Sequence, residues 1–550
     1  MSWRTPPAPI AEEKITRQYE TDIVVVGLGY AGTCAMRAAQ EAGAETIAVE
    51  MMNEKYYRSY GRDFGHINSK FLESRGVPHV DPLELFNEWM RRAGNRANPE
   101  LVMKFCKHSG ETFDWFTDMI APELLADEDL IHVAFWKRGG ANFKKELREN
   151  GSVDINGYHY WNGTAQFPYD DPMGWKGWPT LPDVCKENHK KAIAAGGTIL
   201  FATEALQLER EPGGRVTGLI ARDRKTNEFL RLTARRAVLL SSGDFAKNEE
   251  MLLDLAPDIT DLYTPGEKPA RNVSRDGRGH RMATWIGARM ETRPLPTMSG
   301  NQLRTSGGIG RFGAVWIDEQ GRRFCNEVFG GMELCGMAGN QTVHGKFYRV
   351  FDEDYLTHEL SWAIPAHGSF DETDDRAVGA LNALVTYAKA HPEGGVWSNG
   401  SRDPIERAEA AYAPTPEKLA AVLGLEGAAA ENFAASIRRY NEFCETGRDE
   451  DFARDKKLLD PLAGMLFAET MPPTKFGGML VSVGGLLTDG EQRVLDENYA
   501  VIPGLYASGN CCGRRFGTQY FTPIAGVSIG IAATLGREAG LSMVHNELGL

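Results

Sequence analysis

The clearest periodic signal lies near the start of the chain. Asp22–Val26 is a short valine-rich run that breaks at Gly27 into a helical stretch ending near Gly43, and a second apolar run, Thr46–Val49, is closed by Glu50. Strand, glycine break, helix and strand in so short a span predict a βαβ unit with parallel strands. From Asp81 to Met119 the period lengthens to that of amphipathic helices, as in Pro82–Met90 and Pro99–Phe105. Between Phe135 and Met173 the chain is rich in Gly, Asn, Asp and aromatic residues, which reads as a long irregular excursion.

Helical periodicity returns at Asp183–Ala195. Strand-like runs follow at Thr198–Ala202, Ala205–Glu209, Val216–Arg222 and Ala237–Ser241, the last entering a second glycine turn at Ser242-Gly243-Asp244-Phe245. The mixture changes between about 291 and 465, with a strand near Gly313–Ile317 and helices at Pro416–Leu423 and Glu431–Phe443. After Gly484 the glycine-rich β character resumes and ends in a helix, Ile529–Gly540. At 550 residues the chain exceeds what one core organises. The pattern predicts an α/β domain over 16–290, an inserted α+β domain over 291–465, and a return to the first domain over 466–550.

Composition narrows the function classes. Lys and Arg total 61 against 75 Asp and Glu, a formal charge of −14, and no basic block is long enough to track a phosphate backbone, so nucleic acid is not an expected partner. The first twenty residues lack an apolar core of signal-peptide length and no window approaches eighteen apolar residues, which predicts a cytoplasmic protein that does not span a membrane. The eight cysteines form no CxxC pair and show no metal-ligand spacing with histidine, so they read as buried thiols and no metal site is expected.

The turn between the first strand and helix, Gly27-Leu28-Gly29-Tyr30-Ala31-Gly32, fits GxGxxG. A chain with 60 glycines matches such a pattern by accident. Here it follows a strand and opens a helix, where unpaired amides and the helix dipole can hold a pyrophosphate. Glu50, at the end of the second strand, is placed to accept from ribose hydroxyls.

Four stretches resemble the soluble fumarate reductase, ketosteroid dehydrogenase and urocanate reductase group of flavoproteins. They are the N-terminal unit, Ala237–Met251, Gly321–Glu327 together with Tyr440–Gly447, and Gly484–Asp489 running into Pro503–Asn510. The resemblance implies a Rossmann-like FAD-binding domain of the glutathione-reductase type, interrupted by an α+β substrate-capping domain. It also implies hydride exchange at a carbon–carbon bond. The cofactor-binding set it implies comprises Gly27, Gly29, Tyr30, Ala31, Gly32, Glu50 and Met51 at the first unit, then Ser59, Gly61 and Ala205. Ser242, Gly243, Asp244 and Asn248 follow from the second stretch, Gly509 and Asn510 from the fourth. Ala525, Gly526, Val527 and Ser528 precede or open the last helix, whose first amides can face a flavin carbonyl. Membrane-complex relatives attach flavin to a histidine after Arg-Ser, whereas this chain reads Arg58-Ser59-Tyr60, so the FAD is expected to be non-covalent. His66, nearby, reads as structural or as a flavin neighbour.

The departures from the group bear on substrate. Fumarate reductases place a proton-donating arginine four residues after the Asn-Glu pair, and that position here holds Gly331; Arg311 stands as a displaced remnant of the residues that feed it. The dicarboxylate-clamping histidine and arginine align with Phe516 and Tyr520. Each buried carboxylate of fumarate would lose a partner, at roughly 3–5 kcal/mol apiece. The site therefore suits a larger, less charged enone, enoate or steroid-like ketone, with Tyr520 as acid/base or carbonyl-polarising group and Tyr60, Gly331, Phe516 and Arg311 facing substrate. Ketosteroid dehydrogenases carry a second tyrosine where Gly331 stands. Tyr56, Tyr57, Tyr158, Tyr160 and Trp161 are the aromatic candidates to replace it. Arg514 and Arg515 read as phosphate or anion contacts or as surface ion pairs, and Cys511-Cys512 as unpaired. No CxxCH haem motif is present, so an external electron donor or acceptor is expected. A dehydrogenase working in reverse and a flavin-binding subunit without catalysis stand as alternatives.

Overall fold

The structure is a computed structural model that describes residues 2–137, 139–168, 180–256, 275–299, 314–327, 346–355, 357, 359–362, 375–402, 408–471 and 479–550. Its first layer is a sheet in which β1 (Ile15–Val26) runs parallel to β2 (Thr46–Glu50) on one side and to Phe229–Leu240 on the other. Thr198–Phe201 extends it beyond β2 and Val501–Ala507 beyond Phe229–Leu240, both parallel. The central strands are buried on both faces, which is why they read as continuous apolar runs: Ile23, Val24, Val25 and Leu239 have no exposed surface. β1 begins seven residues earlier than its apolar run. Ile15–Glu20 alternates between exposed and half-buried positions, and Ile15–Thr21 is held by ladder bonds to Phe229–Ala234 rather than by hydrophobicity.

Helix α1 (Tyr30–Glu41) crosses between β1 and β2, and the terminal helix, Val527–Leu548, lies against it. Contact is close because it is made through glycine: a Cβ at Gly536 would stand 2.3 Å from the Ala31 carbonyl oxygen, and one at Gly540 2.5 Å from that of Ala35. The excursion after Phe135 is more regular than its composition predicts. It contains a helix, Ala141–Asn150, and short strands at Ser152–Ile155, Tyr158–Trp161 and Thr164–Gln166, the last paired with Asp63–Gly65. Its Phe135, Phe143 and Tyr160 form a small core with Leu458 and Ala525, while Trp161 and Phe167 join the two main cores.

A second sheet is wholly antiparallel, in the order Val315–Asp318, Phe347–Asp352, Leu466–Met471, Glu409–Ala413, Gly395–Ser398. Its third strand starts one residue beyond 465. Alternation along the strands feeds two cores: Trp316, Phe347 and Phe351 pack with helix Asp375–Ala390, and Val315, Ile317 and Tyr348 with the helices Pro416–Val422 and Gly427–Thr446. The Gly321–Glu327 motif lies here, where Arg323 bonds Glu327 and Asp449 with both arms of its guanidinium and stands 5.2 Å from the Tyr440 ring. Thr297–Ser299 and Met479–Ser482 pair antiparallel where the chain passes between the two sheets. No helix among the described residues is long and apolar enough to cross a membrane.

Candidate functional site

At the carboxyl ends of the parallel strands a cleft of about 290 Å³ opens between the glycine turn and the terminal helix. Gly27 shapes its floor. Its φ is +89°, and a Cβ there would stand 2.8 Å from Ser242 Cα, so the first glycine turn packs directly on the second. Ser241 Oγ lies 3.0 and 2.9 Å from the carbonyl oxygens of Val26 and Gly27, tying the two turns together. Gly32 serves the same contact from within α1, since its Cβ would meet the Gly27 carbonyl at 1.9 Å. Gly29 and Gly243 differ in kind. Both line the cleft, and neither has an atom within 4 Å of where a Cβ would stand, so side chains there would project into the open volume.

Most of the residues inferred from sequence share this one cavity. Gly27, Gly29, Tyr30 and Ala31 line it with Glu50 and Met51; Ser59, Tyr60 and Ala205 form a further wall. Ser242, Gly243 and Asp244 stand opposite, and Gly509, Asn510 and Ser528 close it, so the start of α1 and the start of the terminal helix face a common space. Gly32, Gly61, Asn248, Ala525, Gly526 and Val527 stand behind these walls. Gly61 backs Ile529, Asn248 caps helix Glu249–Leu255, and Gly526 (φ +71°) turns the chain into the terminal helix against the Asp63 backbone.

Glu50 is buried, and its two oxygens accept from Leu28 N at 3.0 Å and Met52 N at 2.8 Å; burial raises its pKa against the effect of these bonds. Asp244 accepts from Ser482 N at 2.8 Å, and its burial pushes the carboxyl up to about 6 although Arg275 lies 3.7 Å away. Arg58, Arg275 and Arg278 line the cleft and were not inferred from the sequence. Arg278 pairs with Glu204 at 2.8 Å and Asp276 at 2.9 Å. The available signal was Arg275-Asp276-Gly277-Arg278, an Asp-Gly turn that opens helix Arg278–Trp285.

Of the described residues inferred to face substrate, Tyr60 lies at the rim of this cleft, 55% exposed, whereas Phe516 and Tyr520 do not line it. Phe516 and Tyr520 are fully buried, with ring centroids 5.0 Å apart, and Phe516 stacks on Trp89. Arg311 and Gly331 lie outside the described residues. His66 stacks on Phe113 at 4.0 Å, and its ring nitrogens contact Phe64 O and Ser69 Oγ; burial pushes its pKa down to about 3. Arg515 is wholly buried and donates to Cys512 O, Val483 O and Asn510 Oδ1 at 2.8–2.9 Å; among the described residues it pairs with no carboxylate, and its Nη1 has no hydrogen-bond partner. Cys511 and Cys512 are buried free thiols.

The sequence of residues 22–529 matches the family model described as FAD binding domain. The chain belongs to that family. It is an FAD-dependent oxidoreductase, with the α/β nucleotide fold and inserted capping domain of its structural neighbours. Among curated relatives, the fumarate reductase (cytochrome) of Shewanella frigidimarina is 24% identical over 550 residues, covering 97% of this chain and 80% of that protein. The 3-oxosteroid 1-dehydrogenase of Mycolicibacterium smegmatis is 28% identical over 605 residues, covering 95% and 97%. The crystal structure of 3-ketosteroid-Δ4-(5α)-dehydrogenase from Rhodococcus jostii RHA1 superposes with a TM-score of 0.64 at 20% identity, covering 97% of this chain and 99% of that one. That likeness concerns the fold.

Proposed function

We propose that the cleft holds one FAD non-covalently and that the protein uses it to reduce a carbon–carbon double bond conjugated to a carbonyl or carboxylate, in a substrate larger and less charged than fumarate. The observation that carries the cofactor assignment is the shared cavity: the opened turn at Gly29 and Gly243, the Glu50 carboxylate and the start of the terminal helix all border it. Glu50, Met51 and Ala205 would take the adenosine end, and the amides of the Gly27–Gly32 turn the pyrophosphate. The ring system would extend toward Ser59, Tyr60 and the terminal helix. Non-covalent attachment is supported by Tyr60 after Arg58-Ser59, and by His66, whose two nitrogens are both engaged within the core.

FAD, when bound, supplies hydride exchange with carbon. The chain's own part is to supply or accept the proton and to hold the polarised carbonyl. Tyr520 is the proposed acid/base residue; it is fully buried and does not line the cofactor cleft, so the substrate would have to reach it from another side. Arg515 and Tyr520 both pack on Phe516, the guanidinium 5.6 Å from its ring and the phenol ring 5.0 Å from it. The first amides of the terminal helix favour negative charge at their end of the cleft. The Phe516 side chain itself, inside an aromatic cluster, offers a second carboxylate no cationic partner. Electrons would be exchanged with a separate carrier.

The reverse half-reaction, dehydrogenation of a saturated ketone, is a second reading; the 28% identity to an oxosteroid dehydrogenase favours it, and one geometry serves both directions. The test is to reduce the purified flavoprotein anaerobically and add unsaturated acids, enones and steroids in turn. The proposal expects reoxidation by neutral enones or monoanionic enoates in preference to fumarate. Preferential reoxidation by fumarate would overturn the substrate class, and bleaching of oxidised flavin by saturated ketones alone would select the dehydrogenase.

A further inference from the structure

The peptide that opens the glycine turn is held from behind by buried side chains outside the Gly27–Gly32 motif. Leu28 N donates to Glu50 Oε2 at 3.0 Å, while Leu28 O accepts from Thr33 Oγ1 at 2.9 Å and from the Tyr57 hydroxyl. Thr33 in turn lies 2.9 Å from His189 Nε2. Thr33 has one hydroxyl proton and donates it to Leu28 O, so its oxygen accepts from Nε2–H, which fixes the His189 tautomer. Thr33, Tyr57 and His189 are all at most 5% exposed, and burial pushes the His189 pKa down to about 4, which keeps the ring neutral. The Tyr57 ring meets the His189 ring edge-on at 4.9 Å.

This arrangement decides which way a dipole points. In a trans peptide the C=O and the following N–H are opposed, so turning the Leu28 carbonyl onto Tyr57 and Thr33 turns the Gly29 N–H the other way. Gly29 lacks a Cβ and would tolerate the flipped plane; a flip would present a carbonyl oxygen, not an amide, to an anion in the cleft. Tyr57 also begins the Tyr57–Tyr60 segment that lines the same cavity, so a single carbonyl links two of its walls.

We infer that Tyr57, Thr33 and His189 are positioning residues for the pyrophosphate half of the cofactor: they lock the Leu28–Gly29 peptide in the anion-binding orientation. The inference rests on the FAD assignment above. The test uses apoprotein titrated separately with FAD, ADP and riboflavin. Tyr57→Phe and Thr33→Val should each weaken FAD and ADP in parallel, by roughly 10-fold for one lost hydrogen bond, with riboflavin binding unchanged, and Thr33→Ser should bind like wild type. Wild-type ADP affinity in Tyr57→Phe and Thr33→Val would overturn the inference, as would an equal loss for FAD, ADP and riboflavin. Should Tyr57→Phe fold poorly, the isosteric Thr33→Val against Thr33→Ser decides. A wild-type protein that takes up no FAD would overturn the cofactor assignment instead.

Discussion

Replacing Gly29 with valine separates cofactor binding from folding. Gly29 has φ −63° and ψ −172°, which any residue adopts, and nothing lies within 4 Å of its missing Cβ, so the folded chain can accept the side chain. Gly29 is the N-cap of α1, and a β-branched residue there costs about 1 kcal/mol, a small part of the roughly 5–15 kcal/mol that keeps a domain folded. The cofactor is affected far more. Valine would stand where the pyrophosphate meets the helix start, removing two charge-assisted hydrogen bonds at about 1.5–3 kcal/mol each. That amounts to about 3–6 kcal/mol, or at least a 100-fold loss of FAD affinity. The assay is FAD titration of apoprotein by flavin fluorescence, with the thermal midpoint of the apoprotein as control. Gly32→Ala is the contrast, because its Cβ would overlap the Gly27 carbonyl and should lower the midpoint itself. FAD affinity within threefold of wild type in Gly29→Val would refute the placement of the pyrophosphate.

Other outcomes follow from the same geometry. Tyr520→Phe should slow flavin reoxidation by an enone roughly 100-fold without changing FAD affinity; unchanged turnover removes Tyr520 from the mechanism. Arg323→Gln leaves buried Asp449 without a guanidinium and Glu327 with only that of Arg454 at 3.5 Å, and should cost about 3–5 kcal/mol in urea denaturation; a loss under 1 kcal/mol contradicts a structural role for that motif. Glu291, which accepts from Gly485 N and Arg514 N, is pushed up to about 7 by burial, so its folded pKa exceeds the unfolded one. Its stabilising contribution is therefore complete below about pH 4 and is lost as pH rises toward 7. Glu291→Gln should gain stability relative to wild type across that interval, and a difference that stays flat with pH argues against the shift.

The strands of the βαβ unit were legible as short continuous apolar runs buried on both faces, and the terminal helix as far as Gly540, although it continues to Leu548. The glycine turns were legible for a local reason, since Gly27 and Gly243 occupy positive φ beside strand ends. What escaped the sequence depends on partners far along the chain. Ile15–Thr21 is a strand only because Phe229–Ala234 pairs with it, and the short strands between Ser152 and Gln166 are hidden by polar and aromatic residues that pack locally. Arg515 read as a phosphate contact or surface ion pair, but its carbonyl partners, Cys512, Val483 and the Asn510 amide, form a buried pocket that no spacing rule reveals. Tyr57 looked like a loop aromatic available to substrate, and the structure turns it inward onto the glycine turn.

The central claim is that the starts of α1 and of the terminal helix border a single bound flavin. The most direct measurement is cofactor stoichiometry: reconstitute the protein with FAD, remove excess, record the visible spectrum, then denature and separate protein from flavin. The account predicts one FAD per chain, released intact on denaturation and absent from reconstituted Gly29→Val. A colourless protein that takes up no FAD, or flavin that stays with the denatured chain, would contradict it.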